Sequence, residues 1–195
     1  YVTEDGEVNV KETIVIDFRQ YMNYLYRDIV YENSHGEPGT LDKKNLSVKV
    51  YQGDIIDGDD YEDITENVKI GYSFNGDTNR YGDAVECPCE PEYCPGYCES
   101  IYIDADKHGS FDGVYSYTFD YYLTDMVTVY NDCAEFNYKM FEYLGFKTEV
   151  AATTVFLPAS TYDKDDFYAY GHGLYDGWVE IVNNREYSFI GEDVA

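Results

Sequence analysis

The chain has 195 residues, with 39 acidic against 13 basic side chains and a formal net charge of −26. That charge repels phosphate backbones and anionic bilayers, which excludes nucleic acid as a partner. Hydrophobic residues make up 44% of the sequence, enough for a core, and 24 Tyr and 10 Phe stand against one Trp, a composition suited to pleated, half-buried surfaces. No apolar run of about 18 residues occurs, so neither a transmembrane helix nor membrane insertion is expected. A first residue of Tyr rather than Met fits a processed, secreted chain.

In chain order, "EVNVKETIVIDF" (7–18) alternates apolar and polar residues and predicts a strand. Across "RQYMNYLYRDIVYENSHG" the signal divides. Phe18, Met22, Leu25 and Ile29 keep helical spacing, whereas Tyr24, Tyr26 and the following Ile-Val-Tyr run suit a strand. "LSVKVYQG" (46–53) and "ENVKIGYSF" (66–74) predict strands, separated by the acidic loop "DGDDYED" (57–63). "ESIYIDAD" and "DGVYSYTFDYYL" predict two more around a Gly-containing acidic loop. "GWVEIV" and "REYSFI" form a hairpin about Asn183-Asn184, since Asn tolerates the left-handed backbone of a tight turn. The expected class is mainly β, an immunoglobulin-like sandwich. Its expected parts are a β-rich half over 1–85, a cysteine-rich loop over 86–98 and a β-rich half over 99–195, or one continuous domain.

Within the loop, Cys87, Cys89, Cys94 and Cys98 follow C-x-C-x4-C-x3-C. In a secreted chain they are expected to form disulfides, Cys87 and Cys89 each pairing with Cys94 or Cys98, with the connectivity left open. A structural zinc is the alternative, but the paired C-x2-C knuckles are missing. "DADKHGSFD" sets Asp104, Asp106, His108 and Asp112 about Gly109. It matches the D-x-D-x-D-G calcium loop at the first, third and sixth positions and departs from it at His108. Asp57, Asp59 and Asp60 offer further oxygen ligands, so calcium is the expected cofactor, against the plainer reading of solvated acidic loops. "NLS" places a glycosylation sequon at Asn45. His35 lies in a polar loop and reads as incidental.

Two resemblances bear on the C-terminal half. "GVYSYTF" resembles the Gly-x-Tyr strand of extracellular immunoglobulin-like domains. "NDCAEFNYKMFEYLGFKTEVA", followed by "DGWVEIVNNREYSFIGED" (176–193), resembles the nucleophile segment and the His-x-Trp-Val-Glu hairpin of transglutaminase-like cysteine enzymes. That resemblance implies an α+β C-terminal part with Cys133 at the head of a helix. Asp176 stands where the family has its His, the family Asp falls near Gly191, and His172 lies four residues before Asp176. A carboxylate cannot replace the imidazole that deprotonates the thiol. The resemblance therefore implies an inactive relative, or an enzyme using Cys133, His172 and Asp176. Read on its residues alone, the same stretch is a hairpin. Phe136, Tyr138 and Met140 then alternate with polar neighbours, Leu144-Gly145 turns the chain, and Cys133 is a buried thiol or the partner of an oxidised neighbour. Cys133, Phe136, Met140 and Tyr143 fit helical spacing as well, and the β-rich surroundings favour the hairpin.

Together these features predict an extracellular or cell-surface structural protein: a filament, surface-layer or adhesive subunit that acts by association. Its partners are copies of itself or another surface protein, joined by strand addition with "VNVKETIVIDF" as donor. The alternatives are the transglutaminase-like enzyme and a calcium-dependent binding module.

Overall fold

Alternation of side chains builds strands throughout the computed structural model, which describes residues 1–33, 35–74, 98–139, 148–158, 163–172 and 176–194. The expected class holds: the protein is mainly β and sandwich-like, and the described residues form several sheets and no barrel. Among the described residues the helical ones are short 3-10 turns. Cys87, Cys89, Cys94 and the Leu144-Gly145 turn lie outside the described residues. The chain forms two compact units, residues 10–139 and residues 1–9 with 140–195.

The first unit holds most of β1 (Val8–Met22), then β2 (Tyr24–Val30), β3 (Thr40–Leu41), β4 (Ser47–Gln52), β5 (Glu62–Asp63) and β6 (Lys69–Phe74). After the cysteine-rich segment come β7 (Cys98–Asp104), β8 (Phe111–Thr124), β9 (Val127–Val129) and β10 (Ala134–Phe136). One sheet has the order β1-β8-β4-β5, with β3 also paired to β8; a second has the order β2-β7-β6. β6 and β7 flank the cysteine-rich segment and pair with each other, so the residues on either side of it share one sheet. The stretch with divided helix and strand signals is β-structure, the end of β1 running through Asn23 into β2.

β8 is the centre of the core. Phe111, Tyr115, Tyr117, Phe119, Tyr121 and Leu123, all at odd positions, are buried. Leu25, Ile29, Val30, Ile101 and Ile103 are buried apolar positions of β2 and β7. Each such side chain contributes roughly 1.5–3 kcal/mol relative to exposure. The aromatic rings contact one another steeply, as in Phe111 against Tyr115 at 5.1 Å and 71°, the edge-to-face arrangement that ring quadrupoles favour. Gly109, at φ 91°, closes the turn into β8 in a conformation that side chains resist.

In the second unit, β11 (Thr148–Phe156), β12 (Asp176–Asn183) and β13 (Glu186–Val194) form an antiparallel sheet of order β11-β13-β12. Residues 1–9 belong with it: Val2 N donates to Phe156 O at 2.8 Å, and the Tyr1 ring stacks on Phe156 at 4.7 Å. The expected hairpin is present, but the chain turns at Asn184-Arg185, one residue later than expected. Among the described non-glycine residues, positive φ occurs only at Asp106 and Asp125, so the left-handed Asn is not used. An irregularity between Ile181 and Asn183 shifts the register there, and such a bulge adds the twist that a left-handed turn would otherwise supply.

Candidate functional site

Two sheet faces leave large aromatic side chains in water, and each follows from strand register. On β2, Leu25, Arg27 and Ile29 are buried, so Tyr24 and Tyr26 point outward; Asp28, next on the same face, is half-buried and Val30 beyond it is buried. β7 sets Asp104 opposite Tyr24, Tyr102 opposite Tyr26 and Ser100 opposite Asp28. β6 adds Lys69 opposite Asp104 and Gly71 opposite Tyr102. Residues directly opposite share a face, so a middle row of Tyr26, Tyr102 and Gly71 lies between end rows carrying Asp104 and Asp28. Tyr24 and Tyr26 are 41% and 52% exposed. Their rings meet edge-on at 5.6 Å, and Tyr26 lies 6.4 Å from Tyr102. The glycine is required: a Cβ on Gly71 would stand 1.9 Å from the Tyr102 ring. Both carboxylates are held in place, Asp28 accepting from the Ser100 hydroxyl and Asp104 accepting from Asp106 N at 3.0 Å.

The second face belongs to the β11-β13-β12 sheet. Trp178 pairs across with Ile190, and Ile190 with Ala152, giving an apolar row over all three strands. Val150, two residues from Ala152, continues it. Trp178 is 51% and Val150 62% exposed. The opposite face is covered in part, with Phe167 against buried Tyr187 at 5.9 Å and Gly171 beside Val179 and Phe189.

Behind the tyrosine face lies a buried charge. Arg27 is 3% exposed, and its Nε donates to both Glu12 oxygens at 2.9 and 3.0 Å, while Nη1 donates to Asp28 O. Burial pulls the guanidinium's proton affinity down, but the Glu12 carboxylate beside it more than offsets this and holds Arg27 above its ordinary value. Tyr121 and Tyr138 complete the cluster, with their hydroxyl oxygens 2.6 Å apart.

A family model described as "Predicted membrane protein (DUF2207) N-terminal domain" matches residues 1–191. The chain belongs to that family. No curated protein and no solved structure matches it. Among the described residues of this membrane-protein N-terminal domain, no helix is long and apolar enough to cross a membrane.

The domain places its sequence-predicted residues as follows. Cys133 lies in the turn between β9 and β10, exposed and in neither helix nor strand, its carbonyl accepting from Tyr130 N at 2.8 Å. The buried position expected from the hairpin reading is therefore not observed, because β10 starts one residue later and leaves Cys133 at the turn. Local desolvation and the Asp132 and Glu135 carboxylates push its thiol up, which disfavours the thiolate. His172, exposed, and Asp176, at the start of β12, belong to the other unit. His35 is not incidental: its Nε2 lies 2.7 Å from the Tyr130 hydroxyl, which donates to Glu135 at 3.2 Å. This polar chain ties loop 33–37 to the Cys133 hairpin.

Of the cysteine cluster, only the backbone of Cys98 is described, in β7. Asp57, Asp59, Asp60, Asp106 and Asp112 are exposed. His108 Nε2 lies 2.8 Å from the Tyr115 hydroxyl, so its ring is part of the aromatic core edge. Among the described residues, no three His, Cys, Asp or Glu side chains gather as a metal site. Asn45 is exposed in the turn before β4, its amide donating to Asp42 at 2.7 Å.

Sequence reading missed both faces. Alternation in "YLYRDIV" carried a signal for the first, aromatic at the outward positions and apolar at most inward ones. The second depends on strand register between segments far apart in sequence, which no local pattern encodes.

Proposed function

We propose that this domain is a cell-surface association module of a membrane protein, meeting a second copy of itself through the open face around Trp178. The observation that carries the reading is the apolar row Trp178–Ile190–Ala152 left in water on a three-stranded sheet. Exposed apolar patches of this kind mark interaction sites, and an exposed Trp anchors many of them. The family description supports a place in the cell envelope; the extracellular side and the role as filament or surface-layer subunit belong to the proposal. Copies each bearing −26 repel, so association needs cations between them, calcium first.

Trp178 is the single tryptophan of the chain, so its emission reports directly on this face. On raising chain concentration in calcium, the emission is expected to shift to the blue as sedimentation shows larger species, and Trp178→Ala should abolish the larger species. Emission and sedimentation that stay constant across concentration, with calcium and with chelator alike, would sink the reading.

A further inference from the structure

The tyrosine face of the β2-β7-β6 sheet has its own chemistry, separate from the Trp178 face. Its rows run acid, aromatic, acid along the strand direction, with Asp104 beside Tyr24, then Tyr26 beside Tyr102, then half-buried Asp28 beside buried Ser100. Lys69, across from Asp104, is its one basic residue, at the corner of the first row. Successive rows on one face are two residues apart, about 6.6–6.8 Å. An extended polypeptide presents its own same-side residues at that same period. The ring faces of tyrosine attract cations, guanidinium most often, and carboxylates pair with guanidinium in two-point contacts. The rings already touch one another, so a cation lies over them rather than between them. The chain's net charge of −26 raises the encounter rate of any basic partner and lowers that of acidic ones.

We infer that this face docks an extended basic segment of a partner protein, with arginine or lysine at alternate positions. The outer two basic residues meet Asp104 and Asp28, and the middle one lies on Tyr26 and Tyr102. The −26 charge also attracts any basic peptide diffusely, and the test separates the two effects.

The whole chain is titrated by calorimetry with a blocked Arg-Ser-Arg-Ser-Arg peptide and with Arg-Arg-Arg-Ser-Ser of equal charge. The alternating peptide is expected to bind more tightly. Tyr26→Ala should weaken it about threefold, and Asp28→Asn with Asp104→Asn roughly tenfold. Asp57→Asn with Asp59→Asn, equal in charge but in another loop, should leave it within about twofold. Circular dichroism checks that each variant folds; if the Asp28 variant does not, surface-exposed Tyr26→Ala decides alone. Equal affinity for the two peptides, no effect of Tyr26→Ala, or equal losses from the two aspartate pairs would overturn the inference in favour of diffuse attraction. Trp178 emission stays constant in the docking experiment if the two faces act independently.

Discussion

Arg27 carries a full charge into the interior of the 10–139 unit, and Glu12 is what makes that tolerable. Removing one partner of a buried pair leaves an uncompensated charge, which costs about 3–5 kcal/mol. Glu12→Gln keeps the shape and removes the charge, so it is expected to lower stability by about that amount in urea unfolding. The double change Glu12→Leu with Arg27→Met should recover most of it, because an apolar pair of similar volume replaces the ions without an orphan. The tyrosines give a pH dependence of known sign. Burial pushes Tyr117, Tyr121 and Tyr138 up from the ordinary value of about 10. Above that pH the unfolded chain loses these protons while the folded one keeps them. Their contribution is thus complete below pH of about 10 and falls as pH rises towards the folded-state values. Phenolate absorbance from Tyr117, Tyr121 and Tyr138 is expected to appear only with unfolding; its reversible appearance in the folded chain would contradict this.

The strands show how far local pattern reaches. β4 and β8 were legible because one face is buried and alternation follows from that; the β12–β13 pair was legible from its alternating residues and the Asn pair between them. "RQYMNYLYRDIV" was not, because Phe18, Met22, Leu25 and Ile29 satisfy a helical period by coincidence. Buried Arg27 among inward-facing residues further blurs the alternation, and only its contact with Glu12 from β1 explains it. For the same reason the turn at Asn184 was displaced by one residue: a bulge is invisible to a search for turn-forming pairs. β6 offers a direct test at this scale. Gly71 lies beneath the Tyr102 ring, covering the glycine in the manner of an aromatic partner on a neighbouring strand. Gly71→Ala forces that ring aside. The expected cost is about 1–3 kcal/mol, as for other overpacked sites, read as a fall in melting temperature, whereas Gly113→Ala adds a Cβ with no atom within 4 Å and serves as the backbone-strain control.

Across the whole molecule, buried apolar side chains are unevenly shared. Among the described residues, the 1–9 and 140–195 unit contributes Val2, Val8, Ala151 and Tyr187, and the remaining buried hydrophobics lie in 10–139. Exchange protection tracks such burial. Amide hydrogen exchange is therefore expected to be slowest in β8 and its partners β4 and β3, and fastest in β12, with uniform protection across both units as the contrary result. The division at residues 9 and 139 could not be seen in composition, since it is set by the contact of Val2 and Tyr1 with Phe156, over a sequence distance that no window spans.

That contact orders biosynthesis. Residues 1–9 leave the ribosome ahead of the 10–139 unit, yet the strand end they pack against is made some hundred and fifty residues later. The 10–139 unit holds its own partners and can fold while synthesis continues, at about 5–20 residues per second. Residues 1–9 are thus made before the strand they pack against, and until it is made Val2 and Val8 wait for that partner. A chaperone or a translocation channel would meet this segment still without its β11 partner for as long as the intervening residues take to be made.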